Sequence, residues 1–467
     1  MNEVIDGLPD ESDKSAALPD PLVQREGPEA SVLIRGAELL DPVTGIEGPH
    51  DLLVESGTIS RIADPGVIEA GEGTEVIEAE GLYVFPAFFD PHVHFRTPGQ
   101  EYKEDLETGT RSAAAGGFAG VIAMANTVPP VSAPEQIEAL RDRAARVASV
   151  PVGFTATVTR DMKGTELTDM AELRQAGAVA FTDDGLPIAS SRILRRALQY
   201  QAMTGGRIAL HEEDPGLSGK GVMNEGVVSS ELGLRGVPSI SESTMIGRDA
   251  AIAGYEGGAI QIQHLSAVES IEQVRQAKAN GVDITCEVTP HHLCLTDEAV
   301  RDLDASKHKM NPPLRTEADR QALIDALVDG TIDCIATDHA PHAVHEKEVP
   351  FEAANMGVTG LETAFASVYT SLVLPGRISL ELLVEKLGCG GGPFGIEPFT
   401  LTEGSRANLC LIDLEAEWVV GEDGYESRSL NSWCAGETLH GRVLVTLADG
   451  QVAYRLRSFS LGVALAS

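Results

Sequence analysis

"FFDPHVHFRTPG", Phe88 to Gly99, sets two histidines and an arginine at alternate positions directly after an apolar run. In an extended chain, residues two apart point the same way, so His92, His94 and Arg96 share one face. A strand interior has no use for three polar side chains on one face. The end of a strand that feeds a metal site does. Alone, a His-x-His pair is a weak signal that structural histidines satisfy equally well, so the decision lies in the rest of the chain.

Outward from this stretch, between about Phe85 and Cys389, eight short apolar runs recur: "VFPAFFD", "GVIAMAN", "PVGFTATV", "AVAFTDD", "RIALHEE", "AIQIQHL", "DITCEVTP" and "IDCIATDH". Most are separated by Ala-, Glu- and Arg-rich stretches of helical spacing, such as "SAPEQIEALRDRAARVA" and "SAVESIEQVRQAKAN". Strands alternating with helices predict a parallel sheet. Eight such units over roughly 300 residues fit an α/β fold of the (β/α)8 type, a TIM-like barrel. A doubly wound open sheet is the alternative. Polar residues end nearly every run; in a barrel those ends converge on one mouth, and in an open sheet they spread along a line, which favours the barrel.

Both chain ends read differently. "SVLIRGAELLD", "HDLLVESGTISRIA" and "TEVIEAEGLYV" near the start, and "ANLCLIDL" and "RVLVTLADGQVAYRL" near the end, are β-branched and strand-like. Ser56-Gly57 and Asp449-Gly450 are hairpin signals. Neither end can bury a core alone, so a small β-sandwich domain built from both is expected, over 31–84 plus 398–458. The barrel then spans 85–397, and the acidic, Pro-containing residues 1–30 read as a disordered tail. "GCGGGPFG", residues 388–395, reads as a flexible connection.

The chain has 467 residues, 43% of them hydrophobic, which is ordinary for a globular protein. No run of about eighteen apolar residues occurs, so no membrane span is expected. The N-terminus lacks the basic start and apolar core of a signal peptide, and a cytoplasmic protein is expected. A formal net charge of −36 repels nucleic acid and anionic membranes, which excludes both as partners, and it also suits a high-salt cytoplasm. Six scattered cysteines (Cys286, Cys294, Cys334, Cys389, Cys410 and Cys434) form no CxxC pair and read as reduced thiols.

Of twelve histidines, eight lie at or just beyond the carboxyl end of a predicted strand: His92, His94, His211, His264, His291, His292, His339 and His342. In barrels that face carries the chemistry. His211 ends the fifth run and His264 the sixth, so each can bring one nitrogen ligand, and Asp338 ends the eighth. The fourth run ends "FTDDG", where Asp183 and Asp184 point to opposite faces and compete for the role of a carboxylate bridging two cations. A solvated turn at Gly185 is the plainer reading of that pair. Four imidazoles with carboxylates suit zinc, with manganese or cobalt as substitutes. Two such ions roughly 3.5–4 Å apart acidify a water, which is equipment for hydrolysing an amide-like bond.

With these motifs in place, the sequence resembles the amidohydrolase superfamily and, within it, the bacterial single-function (class I) dihydroorotases. "DPHVHFRTPGQEYKEDLETG" resembles the family's first-strand signature, and "MANTVPP", "AFTDDG", "HEED", "QHLS", "TCEVTPHH", "NPPLR" and "ATDHAPH" follow in the family's order. The resemblance implies a metal-bearing barrel with a small β-sandwich, holding two zinc ions per subunit. It implies His92, His94 and Asp338 on one zinc, His211 and His264 on the other, and Asp184 bridging them. Many relatives, hydantoinases and allantoinases among them, bridge with a carboxylated lysine; "GAVAFTDDG" has none. Substrate contacts map onto His94, Arg96, Asn126, Asn311 and His342, and onto Met356 and Gly357 in the polar stretch from His342 to Gly360. Arg96 suits a substrate carboxylate on its own chemistry, as a forked donor.

The reaction implied is the reversible closure of N-carbamoyl-L-aspartate to L-dihydroorotate in pyrimidine (UMP) synthesis, with Asp338 carrying the proton. A homodimer is expected. Rival readings are a hydantoinase or allantoinase, or a non-catalytic scaffold for aspartate transcarbamoylase; an active enzyme that also binds a transcarbamoylase remains open. The sequence departs from the family's pattern at Met356 and Ala125, where proline is usual, and at "GCGGGPFG", which replaces an "NPA" segment.

Overall fold

Leu- and Val-rich runs from both chain ends pair into one sheet. A computed structural model describes residues 18–302 and 305–460. Strands β1 (Val32–Asp41), β2 (Ile46–Glu55) and β3 (Thr58–Ala63) run antiparallel, and β4 (Glu75–Glu78) and β5 (Tyr83–Pro86) lie parallel to β1. The turn from β2 to β3 puts Ser56 at φ 47° and Gly57 at φ 69°, the left-handed pair that a two-residue hairpin needs.

Eight strands then form the parallel barrel sheet. In chain order these begin with β6 (Phe88–Val93), β7 (Phe118–Ala123), β8 (Val152–Ala156), β9 (Ala178–Thr182) and β10 (Ile208–Leu210). A small two-stranded pair, β11 (Met223–Asn224) and β12 (Gly236–Val237), interrupts them before β13 (Ile260–Ile262), β14 (Ile284–Val288) and β15 (Cys334–Ile335). Nearly every residue of these eight strands is buried, as expected of a parallel sheet covered on both faces. The helix Pro134–Val147 shows how: it buries Ile137, Leu140 and Ala144, a three-then-four spacing that lines up one face.

The chain returns to the first sheet with β16 (Leu409–Val419), β17 (Thr438–Ala448) and β18 (Gln451–Arg455), giving the order β18-β17-β16-β5-β1-β2-β3. Residues from both chain ends share its core, with Val32, Ile34, Leu52, Ile59 and Val84 packing with Leu409, Leu411, Leu444 and Leu447. The hairpin turns of the two ends touch, and a Cβ at Gly450 would fall 2.5 Å from Gly57 O.

Strands β6 and β15 share no ladder, and a backbone bridge just beyond them together with a buried side-chain cluster completes the barrel between them. Val93 bridges His339, and His94 N donates to His339 O at 2.9 Å. The buried Asp90 carboxylate accepts from Thr337 Oγ1 at 2.6 Å, from Thr337 N at 3.2 Å and from His92 N at 3.0 Å. Thr337→Val removes a hydroxyl from this buried acceptor, so a loss of about 1–3 kcal/mol is expected. An unchanged urea midpoint would show that Asp90 does not tie the seam.

Three features differ from the sequence reading. The run "VFPAFFD" divides: Tyr83–Pro86 pairs with β1 and β16, and the barrel strand starts at Phe88. "GCGGGPFG" contains an ordered 3-10 segment, Cys389–Phe394, in place of a flexible connection. A Cβ at Gly390 would lie 2.6 Å from Phe89 O, so glycine lets this segment close against the first barrel strand. Of the tail expected over 1–30, residues 1–17 lie outside the described residues. Residues 18–30 run along the barrel, where Val23 exchanges backbone hydrogen bonds with Val152 at 3.0 and 2.9 Å. All six cysteines are free, and no helix among the described residues is long and apolar enough to cross a membrane.

Candidate active site

The polar ends of the barrel strands converge on one mouth. His92 lies in β6, with His94 and Arg96 just beyond it; Asn126 follows β7, Asp184 β9, His211 β10, His264 β13 and Asp338 β15. Three of these residues hold left-handed backbone: Arg96 at φ 54°, His264 at φ 35° and Asp338 at φ 46°. Non-glycine residues adopt this conformation at a cost of about 1–3 kcal/mol, and such strain concentrates at functional sites.

Two triangles of ligand atoms result. In the first, Asp338 Oδ1 is 2.9 Å from His94 Nε2 and 3.5 Å from His92 Nε2. In the second, His211 Nδ1 and His264 Nε2 are 2.9 Å apart and lie 4.0 and 3.8 Å from Asp184 Oδ1. Asp184 joins the two, with Oδ1 at 3.5 Å from His92 Nε2 and Oδ2 at 3.5 Å from His94 Nε2. Its neighbour Asp183 turns away and accepts from Val158 N at 2.9 Å and Thr159 N at 3.0 Å. Burial works against both central carboxylates. The imidazoles outweigh it, with His92 foremost, and hold Asp184 and Asp338 below the ordinary carboxylate range.

The outer nitrogens decide which ring atoms face inward. His92 Nδ1 meets Glu287 Oε1 at 2.5 Å, His94 Nδ1 meets Asn126 Oδ1 at 2.9 Å, and His211 Nε2 meets Glu213 Oε2 at 3.3 Å. These oxygens can only accept, so each outer nitrogen carries a hydrogen, and with a cation bound each inner one would present a lone pair. His92 Nε2 is buried with no hydrogen-bond partner. This is the wiring of metal-ligating histidines, whose second nitrogen is fixed by a carboxylate or carbonyl. Four inward nitrogens and two ionised carboxylates in a buried site fit a pair of divalent cations of the zinc kind.

Glu287 and Glu213 went unread in the sequence. The signal for Glu287 was a charged residue inside the apolar run "DITCEVTP"; that for Glu213 was the acidic stretch directly after His211. Burial opposes the Glu213 charge, but His211 and Asn311 hold its carboxyl down at about 2.

Above the ligands lies a cavity of about 240 Å³, lined by Arg96, Asn126, Asn311, His342, Met356 and Gly357 together with five of the candidate ligands, His94 among them. Typical ligand pockets hold about 300–1,000 Å³, so this one suits a small molecule. The buried Arg96 side chain donates from Nε to Pro341 O at 3.2 Å. Asn126 also donates to Asp184 Oδ2 at 3.0 Å, so its amide is engaged by two candidate ligands. Asn311 Nδ2 donates to Glu213 at 2.8 Å. His342 Nε2 donates to Met356 O at 2.8 Å; burial, then Arg96, push its pKa down to about 3, so the ring is neutral.

The other strand-end histidines do not join the ligands. His292 is held by Thr289 at 2.7 Å and Pro312 O at 3.0 Å, and His339 faces Glu104 at 3.4 Å. Burial lowers His291 to about 4 and keeps it neutral. A larger cavity, about 610 Å³, lies by β17 and β18, but no candidate ligand reaches it. Three of its arginines are already paired, Arg111 with Glu426, Arg442 with Asp423 and Arg455 with Glu75.

Comparison with known proteins agrees with this geometry. A family model described as dihydro-orotase-like matches residues 81–270. A dihydroorotase of Citrifermentans bemidjiense is 43% identical over 426 residues, covering 91% of this chain and 100% of that protein. One of Acetivibrio thermocellus is 43% identical over 425 residues, covering 91% and 99%. Among solved structures, the L-hydantoinase (dihydropyrimidinase) of Arthrobacter aurescens superposes with a TM-score of 0.79 at 25% identity, covering 91% of this chain and 96% of that one. The dihydropyrimidinase of Brevibacillus agri gives 0.78 at 21%, covering 91% and 95%, which speaks to the fold.

Proposed function

The chain belongs to the dihydroorotases, which are cyclic amide hydrolases, and on that premise we propose a two-zinc enzyme of the class I type that interconverts N-carbamoyl-L-aspartate and L-dihydroorotate at this cavity. The observation that carries the reading is the joining of two ligand triangles through Asp184, beneath a buried arginine fork.

His92, His94 and Asp338 would hold one zinc, His211 and His264 the other, and Asp184 would be shared between them. The metal pair, when bound, supplies Lewis acidity that polarises the ring carbonyl and acidifies the attacking water. The protein does the rest. Arg96 receives the substrate carboxylate in its fork, which fixes the ring's orientation. Asn311 keeps its amide oxygen for a ring N–H, because Glu213 takes its Nδ2. His342 stays neutral with its Nε2–H tied to Met356 O, so it packs beside the substrate without donating to the carboxylate. Asn126 holds His94 and Asp184 in register. Asp338 Oδ1 faces the histidines, so Oδ2 takes the proton from water and passes it to the leaving amide nitrogen.

Metal analysis joined to a dihydroorotate assay tests this. The expected result is two zinc equivalents per chain, loss of activity on chelation, and recovery on adding zinc back. Removing the metals is also expected to lower the melting temperature, because ions that bind only the folded state stabilise it. Full activity in metal-free protein would sink the reading.

A hydantoinase reading draws on the solved structures of similar fold. The absence of lysine from "GAVAFTDDG" and the presence of Arg96 favour dihydroorotate instead. Side-by-side assay of hydantoin, allantoin and dihydroorotate separates them. The same reading takes the enzyme as a cytoplasmic homodimer, with a β-sandwich domain over 31–84 and 398–458 beside the barrel.

A further inference from the structure

Two buried lysines lie near the cavity without lining it. Lys347 closes the short helix Val344–Lys347, in the loop that runs from His342 to Gly360 over the site. Its Nζ donates to Gly357 O at 2.9 Å, Asn355 O at 2.9 Å and Lys309 O at 3.3 Å. Lys309 sits two residues before Asn311. Its Nζ donates to Phe351 O at 2.7 Å and Glu352 O at 3.0 Å, and lies 5.2 Å from the centre of the Phe351 ring. The lacing runs both ways but unequally: Lys309 caps two carbonyls of the loop, whereas Lys347 caps two carbonyls of its own loop and one, Lys309 O, of the other segment.

The chemistry suits the place. A loop with little regular structure leaves carbonyls without partners, and burying these costs free energy. An ammonium carries three donors on a flexible stem, so one lysine can satisfy three carbonyls that no single amide could. The backbone adds Gly357 N to Lys309 O at 2.9 Å. Glu346 ties the same short helix to Lys103 at 2.9 Å. Asn431 donates to Gly357 O at 3.2 Å from the other side.

Both laced segments contribute to the lining of the cavity. One brings Asn311; the other brings Met356 and Gly357, with Met356 O fixing His342. At Gly357, φ is 125° and a Cβ would lie 2.7 Å from Ala340 Cβ, so this wall has no slack. We infer that Lys309 and Lys347 are positioning residues that hold Asn311 and the His342–Met356–Gly357 wall at the separation the substrate requires. Neither lines the cavity or holds a ligand. The inference rests on the proposed function for what fills the cavity, but not for the lacing.

The test uses the metal-loaded full chain with Lys347→Met and Lys309→Met. A missing charge-assisted hydrogen bond is expected to raise KM for dihydroorotate by about tenfold or more, with kcat falling less and zinc content unchanged. Amide hydrogen exchange over residues 343–357 is expected to quicken in the variants and to slow again with saturating substrate. A KM within twofold of wild type together with unchanged exchange overturns the lock. So does a fall in kcat with lost zinc and quickened exchange throughout the barrel, since that marks a general structural role. If Lys347→Met does not fold, Lys309→Met carries the test, because it leaves the acceptors of Lys347 in place. A wild-type protein inert towards dihydroorotate would defeat the assigned reaction, and the exchange measurement, which needs no knowledge of the substrate, would still decide the lacing.

Discussion

Asp338→Asn is expected to keep its zinc and lose turnover by about 10²–10⁴-fold, the range set by losing a general acid–base group. Asparagine keeps the shape and one oxygen, so the contact at 2.9 Å to His94 and that at 3.5 Å to His92 can persist with the metal. It cannot accept a proton from water and return it to the leaving nitrogen. Measuring kcat and metal stoichiometry on one preparation separates the two effects. A variant with full zinc and activity within tenfold of wild type would remove Asp338 as the proton carrier, and a variant without zinc would show that its charge is needed for binding.

Arg96→Met is expected to lower kcat/KM for dihydroorotate by about a hundredfold or more, because truncating one partner of a buried, hydrogen-bonded charge pair costs about 2–5 kcal/mol. The loss is expected mainly in KM if the fork binds ground state and transition state alike. Lysine at the position keeps the charge but not the planar fork, so Arg96→Lys is expected to recover only part of the loss. A cyclic amide without a carboxylate is the control. Any slow turnover of hydantoin should be unaffected in Arg96→Met, since nothing on that ring needs the guanidinium. A parallel fall for both substrates would mean that Arg96 supports the site as a whole.

Much of the barrel was legible before any coordinates. The eight apolar runs appear in order as β6 to β10 and β13 to β15, and both hairpin turns fall where Ser56-Gly57 and Asp449-Gly450 foretold. Period and turn chemistry are local properties, so sequence carries them directly. The division of "VFPAFFD" was not legible. An apolar run reads the same whether it serves one sheet or two, and only the pairing of Tyr83–Pro86 with β16, more than 300 residues away in sequence, places the boundary. "GCGGGPFG" misled for a related reason: glycine permits flexibility, but it also permits close approach, and here the approach to Phe89 governs.

By itself, the sequence determined which groups are available for chemistry and where along each strand they stand: alternate histidines at one strand end, single histidines at two others, and an aspartate at the last. These follow from spacing, because a strand's geometry repeats every two residues. Tertiary structure alone decided which atom of each imidazole faces inward, since that depends on Glu287 meeting His92 across 195 residues of chain and Asn126 meeting His94 across 32. It also turned Asp184 inward and Asp183 outward, and laced Lys309 to a loop some forty residues on. Such contacts are set by where strands and loops come to rest in space, and hydrogen bonds act over about 3 Å, a distance that separation along the chain does not encode.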